Sequence, residues 1–341
     1  KNITGLVYYD LACYQALQGK KKAALKNFEK AFNSGWNDYN HAKGDSDIDN
    51  LRKEKKYLEV MAKMRLDSDY LYILQQAEGY NRTETKPICY NESVTDTLPR
   101  FTYMNPNDSN LVQLRKHFNL DSIAGSGDEI SKIKNLLYWV HNIVPHDGNS
   151  RNPEERNTIA MVELCKKENR GVNCRMMAQM LNECYLAMGF KSRFITCMPK
   201  VMINDCHVIN AVYSNTLNKW LWMDPTFNAY VTDEKGNLLG IGEVRERLRN
   251  NQPVVLNEDA NWNNKNKQTK EYYLDYYMAK NLYYVTCPLQ SEYNAETNYP
   301  GKKWSMYISL VPEGYSTNGK PGATAYDSHN DSYFWQSPYQ E

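Results

Sequence analysis

Apolar residues recur at helical spacing in the middle of the chain. DEISKIKNLLYWVHNIV, residues 128–144, repeats them every three or four positions behind an Asp/Ser start, and His141 falls on the polar face of this predicted helix. TIAMVELCKKEN, residues 158–169, predicts a second helix. A third helix is predicted to begin near Cys174 and to end at Gly189. Its buried stripe contains Cys174, Met177, Ala178, Leu181, Cys184, Tyr185 and Met188.

Patterns typical of β-strands follow these helices. HVINAVYS, residues 207–214, and KWLWMDPTF, residues 219–227, are joined by the turn NTLN, which predicts an antiparallel hairpin. KEYYLDYYMAKNLYYV, residues 270–285, begins as a helix, and KKWSMYISLVP, residues 302–312, alternates like a strand. The last 15 residues, DSHNDSYFWQSPYQE, have two alternatives: their aromatic rings pack on the core, or the tyrosine-rich surface of this region binds peptide or glycan.

The first 35 residues predict two helices whose small and large side chains alternate as in a tetratricopeptide repeat. The positions concerned are Tyr8, Leu11, Ala12, Gly19, Ala24, Phe28 and Ala31. DSDIDNLRKEKKYLEVMAKM, residues 45–64, predicts a further helix with an acidic first turn. Because one repeat cannot bury its own apolar face, we expect this region to dock on other repeats, on the rest of the chain or on a protein partner.

Charge and cysteine spacing exclude several classes of function. The 41 basic and 40 acidic residues give a net charge of +1, so no global field favours nucleic acid or an anionic membrane. No apolar run approaches the roughly 20 residues of a membrane-spanning helix. The eight cysteines show no CxxC pair or repeated spacing, which argues against a zinc site, and no metal or cofactor is expected.

Cys174 is the cysteine whose position favours chemistry. A thiol in the first turn of a helix is exposed to the positive end of the helix dipole, which favours the thiolate. His207 opens a predicted strand 33 positions later. If Ser214 pairs with Lys219, Asp224 is a diagonal neighbour of His207 on the same face of the hairpin. The spacing is that of a nucleophile, a base and an orienting carboxylate. Each residue also has a structural alternative, as a core thiol, a strand histidine or a turn aspartate.

These three residues in their local settings resemble the transglutaminase-like superfamily of papain-like folds. The resemblance covers residues 100–250, with GFKSRFITC before the histidine and DCHVINAVYSNTLNKWLWMDPTF around the histidine and aspartate. It implies that Cys174 attacks an amide carbonyl, that His207 takes the thiol proton and that Asp224 orients the imidazole. The cleft-lining candidates are His146, Trp139 and Asn173.

The expected fold is therefore α+β. A transglutaminase-like core at residues 100–250, with the cysteine helix packed on an antiparallel sheet, follows a tetratricopeptide-like helical domain at 1–65 and a linker with a strand at 66–99. Residues 251–341 are expected to form a carboxy-terminal extension packed on the core.

The expected function is hydrolysis or transfer at peptide or amide bonds of a peptide, protein or glycopeptide substrate, through a thioester on Cys174. An idle domain that binds protein or glycan and a deglycosylating amidase are the alternatives. Family members of this two-part build are often exported bacterial proteins, so the resemblance implies a location in the periplasm or at the cell surface. Because the chain begins at Lys1 rather than at a methionine, we expect that its natural amino terminus has been removed, which by itself says nothing about export and leaves a lipid anchor as one route.

Overall fold

The computed structural model describes residues 3–76, 89–93, 98–200, 206–302, 305–320 and 323–338. The chain divides into two compact units, Lys1–Pro87 and Ile88–Glu341. The first unit extends further than the helical domain expected at residues 1–65.

The amino-terminal unit is helical in its described part. Its elements are α1 (Ile3–Leu17), α2 (Lys21–Asn33), α3 (Tyr39–Gly44), a 3₁₀ helix (Ser46–Leu51), α4 (Lys55–Ser68) and α5 (Tyr70–Gln76). α1 and α2 are in contact, and Ala12, Ala24, Phe28 and Ala31 are buried between helices. The two helices expected in the first 35 residues are confirmed, whereas their assignment to a tetratricopeptide repeat stays a prediction.

Two details of this unit differ from expectation. The single helix expected over residues 45–64 is divided, because Asp45 caps the 3₁₀ helix by accepting from the N–H of Asp47. The strand expected within 66–99 is wrong for residues 70–76, which form α5. Asp69 starts this helix by accepting from the N–H of Tyr72, and Tyr70 and Leu74 bury one helical face. The loop expected at GYNRTETKP lies outside the described residues.

The carboxy-terminal unit places helices against one main sheet. Its helices are α6 (Ser109–His117), α7 (Leu120–Ala124), α8 (Glu129–Ile143), α9 (Thr158–Glu168), α10 (Cys174–Ala187), α11 (Ile241–Arg249), α12 (Lys270–Tyr272), a π-helix (Tyr273–Met278), α13 (Ala279–Asn281) and α14 (Asp331–Phe334). Its strands are β1 (Thr102–Tyr103), β2 (Ser192–Met198), β3 (His207–Ser214), β4 (Lys219–Met223), β5 (Val231–Thr232), β6 (Val255–Leu256), β7 (Asn261–Trp262), β8 (Asn266–Lys267), β9 (Tyr284–Pro288), β10 (Gln290–Ser291), β11 (Tyr307–Leu310) and β12 (Tyr326–Ser328).

Among the described residues, six strands form the main sheet in the order β12-β11-β9-β2-β3-β4. The β11–β12 pair is parallel and the other pairs are antiparallel. Residues 251–341 were expected to pack on the core as an extension, but they supply β9, β11 and β12. Because β9 pairs with β2, this segment is an integral part of the sheet.

α10 lies at the centre of the unit, in contact with β2 and β3 and with α6, α8 and α9. Every residue from Met176 to Ala187 is buried, so the burial exceeds the single stripe expected from the sequence. The polar residues within it have partners: Asn182 Nδ2 donates to Ser291 Oγ at 2.9 Å, and Glu183 accepts from the hydroxyl of Thr158 at 2.6 Å. No helix in the described ranges is long and apolar enough to cross a membrane.

Candidate active site

Cys174 occupies the first position of the central helix α10. Asn173 caps this helix by accepting from the N–H of Met176 at 3.2 Å. β3 holds the same turn of the helix, because Asn210 Nδ2 donates to the carbonyl of Ala178 at 2.8 Å. The sulfur therefore sits at the start of a helix whose position relative to the sheet is fixed.

The β3–β4 hairpin has the register expected from the sequence. Ser214 pairs with Lys219, and β4 ends one residue before Asp224. The backbone of Asp224 then exchanges hydrogen bonds with Ala229 at 2.9 and 3.0 Å. His207 Nε2 and Asp224 Oδ2 are 2.7 Å apart, and both side chains are fully buried.

Asp224 is held by two further donors. The hydroxyl of Tyr273 donates to Oδ2 at 2.6 Å, and the N–H of Thr226 donates to Oδ1 at 2.9 Å. Trp222 Nε1 in turn donates to the Tyr273 hydroxyl at 3.2 Å. Burial and the charge of Asp224 raise the pKa of Tyr273 well above its ordinary value, so the phenol remains a neutral donor.

The environment of the sulfur favours the thiolate. Burial would raise the pKa of Cys174, but the interactions of the thiolate with His146, with the charged ring of His207 and with the backbone of Val208 outweigh it and lower the pKa to about 6. Burial would lower the pKa of His207, but the charge and hydrogen bond of Asp224 outweigh it, and Cys174 adds to the rise. Both shifts favour a thiolate–imidazolium pair at neutral pH.

The geometry of the His207 ring agrees with this pairing. Nε2 is bonded to Asp224, while Nδ1 is buried and has no hydrogen-bond partner of ordinary length among the described residues. Nδ1 is therefore the nitrogen left for exchanging a proton with Cys174 or a substrate. The rings of Tyr277 and Phe227 lie 5.1 and 5.5 Å from the imidazole and enclose it.

The three cleft-lining candidates have different environments. His146 lies near the sulfur and is one of the groups that lower the pKa of Cys174. Both ends of the Asn173 side-chain amide are used in structure, since Nδ2 donates to Asn152 Oδ1 at 2.6 Å while Oδ1 caps the helix. Trp139 packs with its ring 5.0 Å from that of Phe118, and no described contact joins it to Cys174. The structure thus brings His146 to the thiol and leaves the other two side chains in structural contacts.

His141 was expected on a polar helix face, and this is wrong. The residue is 2% exposed, with Nδ1 2.9 Å from the carbonyl oxygen of Pro225 and Nε2 3.0 Å from Asn261 Oδ1. The polar face of α8 is covered at this point by the β7–β8 hairpin. His141 thereby supports the turn that follows Asp224.

Sequence reasoning missed Tyr273 and Trp262. Tyr273 was hidden in a tyrosine-rich helix whose π-helical turn changes which residues face the sheet, and such turns are frequent at functional sites. Trp262 stands before the left-handed residues Asn263 and Asn264, which turn the β7–β8 hairpin. The Asn-Asn pair after Trp262 is a hairpin signal that could have placed this strand pair.

In the part of the chain that the structure describes, one group of side chains has the spacing of metal ligands, and it lies in the amino-terminal unit. Ligand atoms of Cys13, Asp45 and Asp47 lie within 4.8 Å of one another. The Asp45 carboxylate already accepts from the Tyr9 hydroxyl at 2.6 Å and the Asp47 N–H at 2.9 Å. This group is therefore accounted for by the capping of the 3₁₀ helix.

Comparison with known proteins agrees with the fold class. The model of the transglutaminase-like superfamily core matches residues 116–225, a range that contains Cys174, His207 and Asp224. A solved structure described as "a Putative Cysteine Protease from Cytophaga hutchinsonii" is similar at 16% identity and a TM-score of 0.27, over 43% of this chain and 46% of that one. The match thus spans less than half of the solved chain. No curated protein matches the sequence. The carboxy-terminal unit has a transglutaminase-like core in a mixed α/β fold, and a helical region precedes it.

Proposed function

We propose that the protein is a cysteine-dependent enzyme that hydrolyses peptide or amide bonds through a thioester on Cys174. The observation that carries the proposal is the pairing of a thiol whose pKa is lowered to about 6 with an imidazole bound to Asp224 at 2.7 Å. A thiol that served only to fill the core would have its pKa raised by burial, as is the case for Cys184.

The reaction follows from this arrangement. The Cys174 thiolate attacks the amide carbonyl carbon, and a tetrahedral oxyanion forms. When the intermediate collapses, the C–N bond breaks, and the leaving amine takes the proton from His207 Nδ1. A thioester remains on the sulfur.

Water completes the cycle. His207 Nδ1 removes a proton from the attacking water, the C–S bond breaks, and the carboxylic acid leaves while the thiolate–imidazolium pair is restored. Asp224 keeps the ring oriented through Nε2 in both halves. One amide and one water are consumed, and one acid and one amine are formed.

The test is acylation of the purified protein by activated esters and by a peptide library, with the acyl adduct mapped by mass spectrometry. Cys174→Ala should abolish the adduct. His207→Gln should slow acylation by about 10²–10⁴-fold because the base and acid are lost. Asp224→Asn should slow turnover by up to about 10⁴-fold, because the amide can hold the wrong tautomer.

Two controls make these outcomes specific. Cys184→Ala removes a buried thiol of the same helix and should leave acylation in place. Adding an ordinary primary amine distinguishes transfer from hydrolysis, because the thioester is converted to an amide only when an amine can compete with water. If the wild-type protein forms no adduct with any acyl donor while Cys174 remains alkylable, the enzyme proposal fails and the binding-module alternative replaces it.

A further inference from the structure

A second histidine stands beside the nucleophile and is fixed there by the backbone. His146 forms a parallel bridge with Val172, in which the Val172 N–H donates to Pro145 O at 3.1 Å and the Asp147 N–H donates to Val172 O at 2.8 Å. Gly171 permits this approach, because a Cβ at that position would collide with the Pro145 carbonyl. The segment that carries His146 is thus joined to the residues that immediately precede Cys174.

The tautomer of this ring is determined by its partner. Trp262 Nε1 donates to His146 Nδ1 at 2.9 Å. Because an indole N–H can only donate, Nδ1 must accept, and the ring proton of the neutral imidazole lies on Nε2. The other ring nitrogen of His146, Nε2, therefore carries an N–H group rather than a lone pair.

The β7–β8 hairpin holds this arrangement at several points. Asn263 Oδ1 accepts from the His146 N–H at 2.7 Å, and Asn263 Nδ2 donates to the His146 carbonyl at 2.9 Å. Asn261, the first residue of the same hairpin, contacts His141, which in turn contacts the carbonyl of Pro225. The hairpin thus holds His146 directly, and it holds the turn after Asp224 through His141.

The two imidazoles at the thiol have opposite partners. A carboxylate behind His207 stabilises the protonated ring, which suits a group that gives and takes protons. A proton on His146 Nδ1 would point at the N–H of Trp262, so Nδ1 remains an acceptor and the ring proton remains on Nε2. This arrangement suits a group that donates a hydrogen bond throughout the reaction.

We propose that His146 is a catalytic residue that donates its Nε2–H to the oxyanion of the tetrahedral intermediate, and that Trp262 is the positioning residue that fixes it in this tautomer. The proposal rests on the proposed function above. The oxyanion forms on the oxygen of the carbonyl group that the sulfur attacks, so a donor held beside the residues that precede Cys174 is close to that oxygen once the C–S bond forms. The N–H groups of Cys174 and Arg175 have no acceptor within the helix and provide further donors on the same side.

Three substitutions test the proposal through acyl transfer. His146→Leu should lower kcat/KM by about 10²–10³-fold, mainly in kcat, because the lost hydrogen bond strengthens in the transition state. His146→Gln retains a donor and should recover part of that loss. Trp262→Phe frees Nδ1 and lets the ring adopt the other tautomer, so kcat should fall while KM changes little.

Alkylation separates this proposal from the one on which it rests. Iodoacetamide reacts at the sulfur without forming an oxyanion, so all three variants should still alkylate at Cys174, which also shows that the site is folded. In the His146→Gln background, which has no imidazole tautomer to fix, Trp262→Phe should lower kcat no further. Normal acylation by His146→Leu would overturn the oxyanion role and leave the enzyme proposal standing. An equal loss of kcat from Trp262→Phe with and without His146 would overturn the positioning role, and absence of acylation in the wild type would overturn both proposals.

Discussion

The reactivity of Cys174 towards iodoacetamide should change in a characteristic way with pH. With a pKa of about 6, about half of this thiol is ionised at pH 6, and the thiolate is lost as the pH falls further. A thiol with the ordinary pKa of about 8.5 is only ~0.3% ionised at pH 6. The ionised fraction of Cys174 at pH 6 is therefore ~150-fold larger than that of the ordinary thiol. The gain in rate is ~10-fold smaller than this ratio, because a less basic thiolate is a weaker nucleophile, with a Brønsted coefficient of about 0.4–0.5.

The net expectation is that Cys174 reacts about 10-fold faster than an exposed ordinary thiol at pH 6 and several-fold more slowly at pH 9, where the ordinary thiol is mostly ionised. Cys89 is exposed and provides the internal comparison. The assay is brief labelling at a series of pH values, followed by peptide mapping of all eight cysteines.

A matched variant tests the cause. His207→Gln removes the charge and the hydrogen bond that lower the pKa of Cys174, so labelling at pH 6 should fall towards that of the ordinary thiol. The reasoning is refuted if Cys184 or Cys206 is labelled first at pH 6, or if the labelling of Cys174 has its midpoint near pH 8.5.

Two further substitutions test how the site is held. Tyr273→Phe removes a donor to Asp224 and leaves the Trp222 N–H unpaired, so the free energy of unfolding should fall by about 1–3 kcal/mol. For a domain of this size, this corresponds to a fall in Tm of about 2–10 °C, and kcat/KM should fall as well. The control is Tyr272→Phe, at an exposed ring, which should change neither Tm nor kcat/KM. Gly171→Ala should lower Tm and kcat together, because the added Cβ forces the segment at Pro145 away from the segment at Val172. The expected loss in the free energy of unfolding is about 1–3 kcal/mol. Gly148→Ala is its control, because a Cβ there meets its nearest neighbour, His146 Cε1, at an ordinary 3.6 Å; equal effects of the two alanines would contradict the argument.

The parts of the site that could be predicted depend on local spacing. The register of the β3–β4 hairpin follows from a four-residue turn between two alternating runs, and it brings Asp224 to His207. The position of Cys174 follows from an apolar helical period that begins with it. In both cases neighbours in the structure are close in the sequence, so periodicity is sufficient.

The parts that could not be predicted depend on distant contacts. β9, β11 and β12 belong to the main sheet because β9 pairs with β2. No local pattern in the sequence predicts which two strands will pair. The burial of His141 requires the hairpin 120 residues away that covers it. The same applies to Tyr273 and Trp262, whose roles arise from long-range hydrogen bonds to Asp224 and His146.

The order of the site residues along the chain has a consequence for biosynthesis. Cys174 leaves the ribosome 99 residues before Tyr273, an interval of about 5–20 s at ordinary elongation rates. Until the β7–β8 hairpin and the π-helix have been made, the groups that hold His146 and Asp224 are absent. We therefore expect the thiol of Cys174, the proposed nucleophile, to reach its full reactivity only after the π-helix has formed.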